Sequence, residues 1–214
     1  MGKYVKGILG AISGLVGTVV GASWRDINYF RSRPKKSTKA PSLGQITHRA
    51  GFSLMTDFMN GDIASVFNIG FQAQANKMTA FNAAFSANMK HAITGVYPAL
   101  VIDYPEFVLA KGNLLAAPFI GMATTEDAQL DLSWENNAEV GSANNTDLAT
   151  IAVYNPDKGQ WGIKQGAAAR SVESFDFAVP AMWSGDSVYV WLFFVRADKK
   201  KVSDSVYVGS AVVQ

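Results

Sequence analysis

A chain of 214 residues that is 49% hydrophobic and only 17% charged has ample material for a buried core and lacks the composition of a disordered polymer. It has no Cys, which excludes disulfides, thiolate metal sites and a Cys nucleophile while leaving the redox compartment open. The net charge of +2 conceals a division: residues 1–50 hold nine Lys and Arg against Asp26 alone, so from totals of 19 bases and 17 acids the rest keeps ten against 16, a +8 segment before a −6 body. Such a chain suits a polyanion held by its basic segment, or a basic segment docked on the acidic body of an identical neighbour, and neither calls for an enzyme.

The first residues combine a basic start with the apolar stretch GILGAISGLVGTVVGASW, as a signal peptide does. Gly7, Gly10, Gly14, Gly17 and Gly21 oppose a helix there, each costing about 1 kcal/mol relative to Ala. The stretch is also too interrupted and short to span a bilayer, so neither a cleaved leader nor a membrane span is expected. Leu15, Gly17 and Val19 on one side and Val16, Thr18 and Val20 on the other read as one strand running to Trp24, apolar on both faces, after a Ser13-Gly14 turn. A strand of that kind needs a layer on each side. Leu15, Val16, Val19, Val20 and Trp24 are accordingly the expected assembly residues.

From Trp24 to Lys39, aromatic Trp24, Tyr29 and Phe30 interleave with Arg25, Arg31, Arg33, Lys35 and Lys36. Guanidinium forks and stacking rings permit contact with a single-stranded nucleic acid, and those five bases are the candidate polyanion contacts. A solvated basic linker around Pro34 has the same composition, and the run matches no nucleic-acid-binding motif.

Ser42 as N-cap with Gln45 as capping-box partner predicts a helix in which Ile46, Ala50, Leu54 and Phe58 recur at spacing four, with Gly51 a local weakness. After Asn60-Gly61-Asp62 comes a short helix over residues 63–71 with a strand-like end. Thr79 caps a third helix predicted to run to Ile93, with Phe81, Phe85 and Met89 on its buried face and Asn82 and Asn88 elsewhere. Gly95 and Pro98 end it.

Beyond Pro98 the period becomes two, with runs at 100–104, 107–110, 114–123, 128–134, 148–154, 161–164, 188–195 and 205–213 between turn-forming clusters. That spacing predicts a sandwich. The run 188–195 is apolar on both faces, which calls for a central strand between two layers or an intermolecular contact. Asn155–Gly159 reads as a turn and Ala197–Lys201 as a charged hairpin tip. The expected organisation is an α+β chain: a Gly-rich basic arm (1–40), a helical unit (41–97) and an antiparallel, Ig-like β-sandwich (98–214).

The catalytic inventory is thin. His48 and His91 match no HExxH pattern, the carboxylates are scattered, and no glycine run forms a nucleophile elbow, a GxGxxG loop or a P-loop. No enzyme activity, metal or cofactor is expected. Trp161 and Trp183 are the aromatics that an adhesive or carbohydrate-binding sandwich would expose.

GILGAISGLVGTVVGASWRDINYFRSRPKKS, the APSLGQITHRAGFSL helix, MTAFNAAFSANMKHAITG, IDYPEFVLAKGNL and VSDSVYVG together resemble a family of uncharacterised Bacteroidota proteins, a domain of unknown function. The resemblance covers nearly the whole chain. It departs where relatives show SGKVG and this chain has Ser13-Gly14-Leu15-Val16-Gly17, and where they show SKG and it has Ala110-Lys111-Gly112. It implies no activity for any residue. A weaker likeness, carried by Pro41, Ser42, Gln45 and Arg49 after a basic stretch, is to phage-type structural proteins. The expected function is therefore a structural subunit that assembles with copies of itself into a filament, tube or particle by donating an N-terminal strand. Extracellular assembly or a virion-like particle is the expected setting, and nucleic acid is the competing partner.

Overall fold

A computed structural model describes residues 2–4, 10–24, 27–35, 38–124, 126–138 and 140–214, which form two compact units, Met1–Ser42 and Leu43–Gln214. The first unit is an antiparallel sheet of β1 (Lys3–Tyr4), β2 (Ile12–Val16), β3 (Val19–Trp24) and β4 (Ile27–Ser32) in the order β1-β2-β3-β4.

The second unit opens with α1 (Leu43–Met59), α2 (Ala64–Gly70) and α3 (Ala80–His91), followed by a hairpin of β5 (Ile93–Val96) and β6 (Ala99–Ile102). Seven further strands follow: β7 (Gly121–Ala123), β8 (Gln129–Ser133), β9 (Leu148–Asn155), β10 (Gln160–Lys164), β11 (Ser174–Ala178), β12 (Ser187–Val195) and β13 (Val206–Val212). They make two antiparallel sheets, β10-β9-β12-β13 and β11-β8-β7, the expected β-sandwich.

The double apolarity of β12 has its cause in this layering. Val188, Val190, Leu192 and Phe194 point between the sheets, where they meet Leu130, Leu132, Trp134 and Phe177. Trp191, Phe193 and Val195 point the other way and share a core with Met55, Met59, Ile63 and Phe67 of the helical layer. Both faces are covered within the chain. At about 25 cal/mol per Å² of apolar area removed from water, a strand buried on both faces is among the strongest contributors to the fold. Phe58 of α1 ties the layers together: its ring lies edge-on to Phe107 and to Tyr154, with centroids 4.8 and 4.7 Å away, and 5.1 Å from Trp161.

Several local expectations are corrected. Gly51 is a contact position, because a Cβ there would stand 3.3 Å from Ile93 Cδ1; a small residue lets the β5–β6 hairpin approach α1. The strand-like end of the second helix is helical, passing into a 3-10 turn at Gln72–Gln74. Thr79 does cap α3, accepting from the Asn82 N–H at 3.2 Å, but α3 stops at His91 and Ile93 begins β5. Asn88 is buried rather than on an outer face. Its Nδ2 donates to the Val108 carbonyl at 2.9 Å and to the Ala84 carbonyl at 3.1 Å, while its Oδ1 accepts from the Val108 N–H at 2.8 Å. Residues 107–110 are thus not the expected strand: they are held by the Asn88 side chain, by Ser205 Oγ, which accepts from the Leu109 N–H, and by the Ser205 N–H, which donates to the Ala110 carbonyl.

Candidate self-association surface

β2 and β3 are joined at Gly17-Thr18, with Val16 opposite Val19 and Leu15 opposite Val20. Gly17 has φ 59°, the positive value required at the first central position of a two-residue hairpin turn. The single strand expected from Leu15 to Trp24 is therefore two strands. The expected turn at Ser13-Gly14 instead lies inside β2, where Ser13 is the last residue paired with β1 and Gly14, at φ 103°, the first paired with β3.

The basic stretch also becomes a strand, since β4 pairs with β3 along its whole length, from Trp24 opposite Ile27 to Val19 opposite Ser32. The Arg33 N–H donates to the Thr18 carbonyl and carries the pairing one residue further. Cross-strand partners share a face. One face of this sheet therefore gathers Leu15, Val20, Trp24, Ile27, Tyr29 and Arg31. The other gathers Val16, Val19 and Phe30. Arg25 and Lys36, two of the five expected polyanion contacts, lie outside the described residues. Arg31, Arg33 and Lys35 are exposed.

This sheet has almost no interior. Among its described residues only Gly21 is buried, while Trp24 and Ile27 are each 60% exposed and Phe30 63%. All six residues of β4, the outer strand, are exposed. Burying one such large apolar side chain is worth about 1.5–3 kcal/mol, so the sheet has much to gain from a covering partner. The expected assembly residues thus lie together: Leu15, Val16, Val19 and Trp24 exposed, Val20 half-buried beside Arg31.

The other candidates dissolve into packing. Trp183 is 1% exposed, and the Trp161 indole N–H donates to the Phe58 carbonyl at 3.1 Å, so neither ring is presented as an adhesive sandwich would require. His48 and His91 are exposed on α1 and α3, and the described residues contain no group of three His, Asp or Glu placed to hold a metal. No helix among them is long and apolar enough to cross a membrane.

Sequence reasoning missed a buried ion pair of the second unit, Arg170 with Asp147, whose side chains are both fully buried. The guanidinium donates to Asn137 Oδ1 at 2.6 Å and to the Leu115 carbonyl at 2.8 Å, and sits 4.0 Å from the centre of the Phe194 ring. Burial pulls its pKa down and Asp147 holds it up. Held by Asp147, Asn137, the Leu115 carbonyl and the Phe194 ring, with Nε and Asp147 Oδ1 lacking hydrogen bonds, this is a structural charge.

Residues 11–209 match a family of unknown function, DUF6266, so the matched region takes in β2–β4 of the first unit as well as the sandwich. No curated protein matches the chain. Among solved structures, the fn3 domain of human collagen alpha-1(XX) chain is similar, at 11% identity over 47% of this chain and 86% of that one, with a TM-score of 0.35. The fn3 domain of human contactin 1 is 12% identical over 56% and 92%, with a TM-score of 0.34.

Proposed function

We propose that this chain, which belongs to the DUF6266 family, is a non-enzymatic structural subunit that assembles with copies of itself into a filament, tube or particle through its N-terminal sheet. One observation carries the reading: four paired strands with a single buried residue among those described, apolar on both faces and ending in the fully exposed strand β4. An outer strand of this kind offers unpaired main-chain groups to another chain, and apolar faces of this size mark interaction surfaces. The charge division adds direction, because a +8 segment is attracted to the −6 body of another copy. A contact between two different surfaces is heterologous and repeats, closing into a ring or extending as a helix according to its rotation.

The test is the mass of the purified full-length chain by size-exclusion chromatography with light scattering, with negative-stain imaging of the largest species. Ordered filaments or rings support the reading. A monomer near 23.0 kDa at every concentration contradicts it.

A second reading rests on Trp24, Tyr29 and Arg31 sharing one face of the sheet, since stacking rings beside a guanidinium suit single-stranded nucleic acid. Its signature is an oligonucleotide affinity whose logarithm falls linearly with the logarithm of salt concentration. The acidic body and the apolar opposite face, with Val16, Val19 and Phe30, weigh toward a protein partner.

A further inference from the structure

The charged hairpin tip that follows β12 forms one wall of a cavity in the second unit. Val195 and Val202 bridge at the base of the tip. Above them the Arg196 N–H donates to the Lys201 carbonyl at 2.9 Å, the Lys199 N–H to the Arg196 carbonyl at 2.7 Å and the Lys200 N–H to Asp198 Oδ1 at 2.9 Å. Lys199 stands at φ 59°, a left-handed conformation that glycine adopts without steric cost and lysine does not. The turn gains nothing from a lysine there, so the turn does not account for it.

The cavity has a volume of about 550 Å³ and three walls. Lys199, Lys200 and Lys201 line one, Asn68 of α2 and Gln72 of the following 3-10 turn a second, and Gly112 and Asn113 the third. Backbone contacts tie the walls together. The Lys111 N–H donates to the Gly70 carbonyl and the Leu114 N–H to the Val202 carbonyl, each at 3.0 Å, and a Cβ on Gly112 would run into the Val202 carbonyl. The cavity is thus preformed, and its size falls within the range of roughly 300–1,000 Å³ found for small-molecule sites. Lys199 also lines a second cavity of about 330 Å³, together with Ile69 and Arg196.

This corner gathers cations on a −6 body without acids to match them. Among the described residues, Lys199, Lys200, Lys201 and Arg196 form no ion pair. Asp198 and Asp204 accept from the backbone N–H groups of Lys200 and Gly112. A carboxylate on a ligand would balance one ammonium, whereas a phosphate monoester brings about −1.5 to −2 at pH 7 and three acceptor oxygens. The carboxamides of Asn68, Gln72 and Asn113 both donate and accept, which suits hydroxyl groups. Among the described residues no aromatic ring lines the cavity, so it offers a nucleobase no stacking surface.

We infer that this cavity binds a small phosphorylated polyol of the sugar phosphate class, with the phosphate on the lysines at 199–201 and the hydroxyls on Asn68, Gln72 and Asn113. The site lies wholly within the second unit and does not depend on the self-assembly reading. Lys199, at the wall shared by the two cavities, is its central contact.

The test is calorimetry of the full-length chain with inorganic phosphate, glucose 6-phosphate and ribose 5-phosphate at one ionic strength. A sugar phosphate should bind at one site per chain and more tightly than inorganic phosphate. K199G/K201Q should weaken it by at least about tenfold, through the loss of two charged hydrogen bonds. Glycine suits the backbone at position 199, so that loss is not a loss of fold, and an unchanged urea midpoint verifies this. N68A/N113A should remove the advantage of the sugar phosphate over inorganic phosphate, and R31Q/R33Q in the N-terminal sheet should change neither. Binding of none of the three compounds, or binding that K199G/K201Q leaves unchanged, overturns the site. Binding that R31Q/R33Q alone weakens also overturns it, since the anion then sits on the N-terminal sheet. Sugar phosphates bound no better than inorganic phosphate overturn the polyol assignment. An oligonucleotide affinity lost in K199G/K201Q, with no small phosphate bound, overturns the inference in favour of a nucleic-acid partner.

Discussion

The Arg170 guanidinium and the Asp147 carboxylate approach to 3.4 Å, Nε to Oδ2, with both side chains fully buried. Arg170 is also held at its backbone, where its N–H donates to the Asp147 carbonyl and its own carbonyl accepts from the Trp134 indole. Asp147→Ala strands a buried cation beneath Phe194, and we expect a loss of about 3–5 kcal/mol in urea denaturation. Replacing both partners with apolar residues of similar volume should cost far less, because no charge is then left unpaired.

Asn88 presents its amide to the backbone of Val108 as a neighbouring strand would, donating and accepting at once. Asn88→Leu keeps the volume and orphans both Val108 groups, each worth on the order of 1–3 kcal/mol if unpaired. Asn88→Asp keeps the acceptor but sets a buried carboxylate against the Ala84 and Val108 carbonyls, so near neutral pH its stability should fall to or below that of the Leu variant. Thermal unfolding of the three chains orders them.

Alkaline pH should unfold the sandwich through its tyrosines. Tyr104 lies against Tyr189 with centroids 4.0 Å apart and ring planes tilted by 30°, and its pKa is pushed up to about 12, first by burial and then by Tyr154, Tyr189 and Asp157. Burial also raises Tyr154 and Tyr207. A phenol held neutral in the fold and ionising near pH 10 when unfolded gives stability that is whole below about pH 10 and is lost as pH rises toward the folded value. The urea midpoint should therefore fall between about pH 10 and 12, and Tyr104→Phe, which keeps the ring, should reduce that fall. An equal fall in both chains contradicts the assignment.

Gly21 has its Cα beneath the Ile12 backbone, where an added Cβ would run into the Ile12 carbonyl. Gly21→Ala should dismantle the N-terminal sheet without touching the second unit. The expected result is lost assembly with the urea transition of the sandwich unchanged, read by fluorescence of its buried Trp183 and Trp191.

How much of this was legible in the sequence varied with how local its cause was. Thr79 and the alternation of Val188–Val195 each report their surroundings within a few residues, and the third helix and the central strand followed from them; the spacing-four stripe found α1 but not its core face, since of it only Phe58 is buried and Gly51, Met55 and Met59 complete that face. Gly17 did not, because Val16-Gly17-Thr18-Val19 alternates as well in one strand as around a tight turn, and only φ tells them apart. Asn88 read as outward because polarity is a poor guide when a buried amide replaces a missing strand. Arg170 with Asp147 depends on loops that bring distant residues together, and no spacing rule encodes the pair. Of the candidate surface, the residue types were evident, whereas the division of Leu15–Trp24 into a hairpin and the pairing of Ile27–Ser32 as a third strand were not.

The most direct test of whether copies join through the N-terminal sheet is amide hydrogen exchange of residues 27–32 in the full-length chain, compared between a dilute, dispersed solution and a concentrated, assembled one. β4 pairs on one side within the chain, so its outward amides should exchange rapidly when dilute and gain at least about tenfold protection on assembly. Protection gained elsewhere, with residues 27–32 exchanging alike in both solutions, would contradict the account.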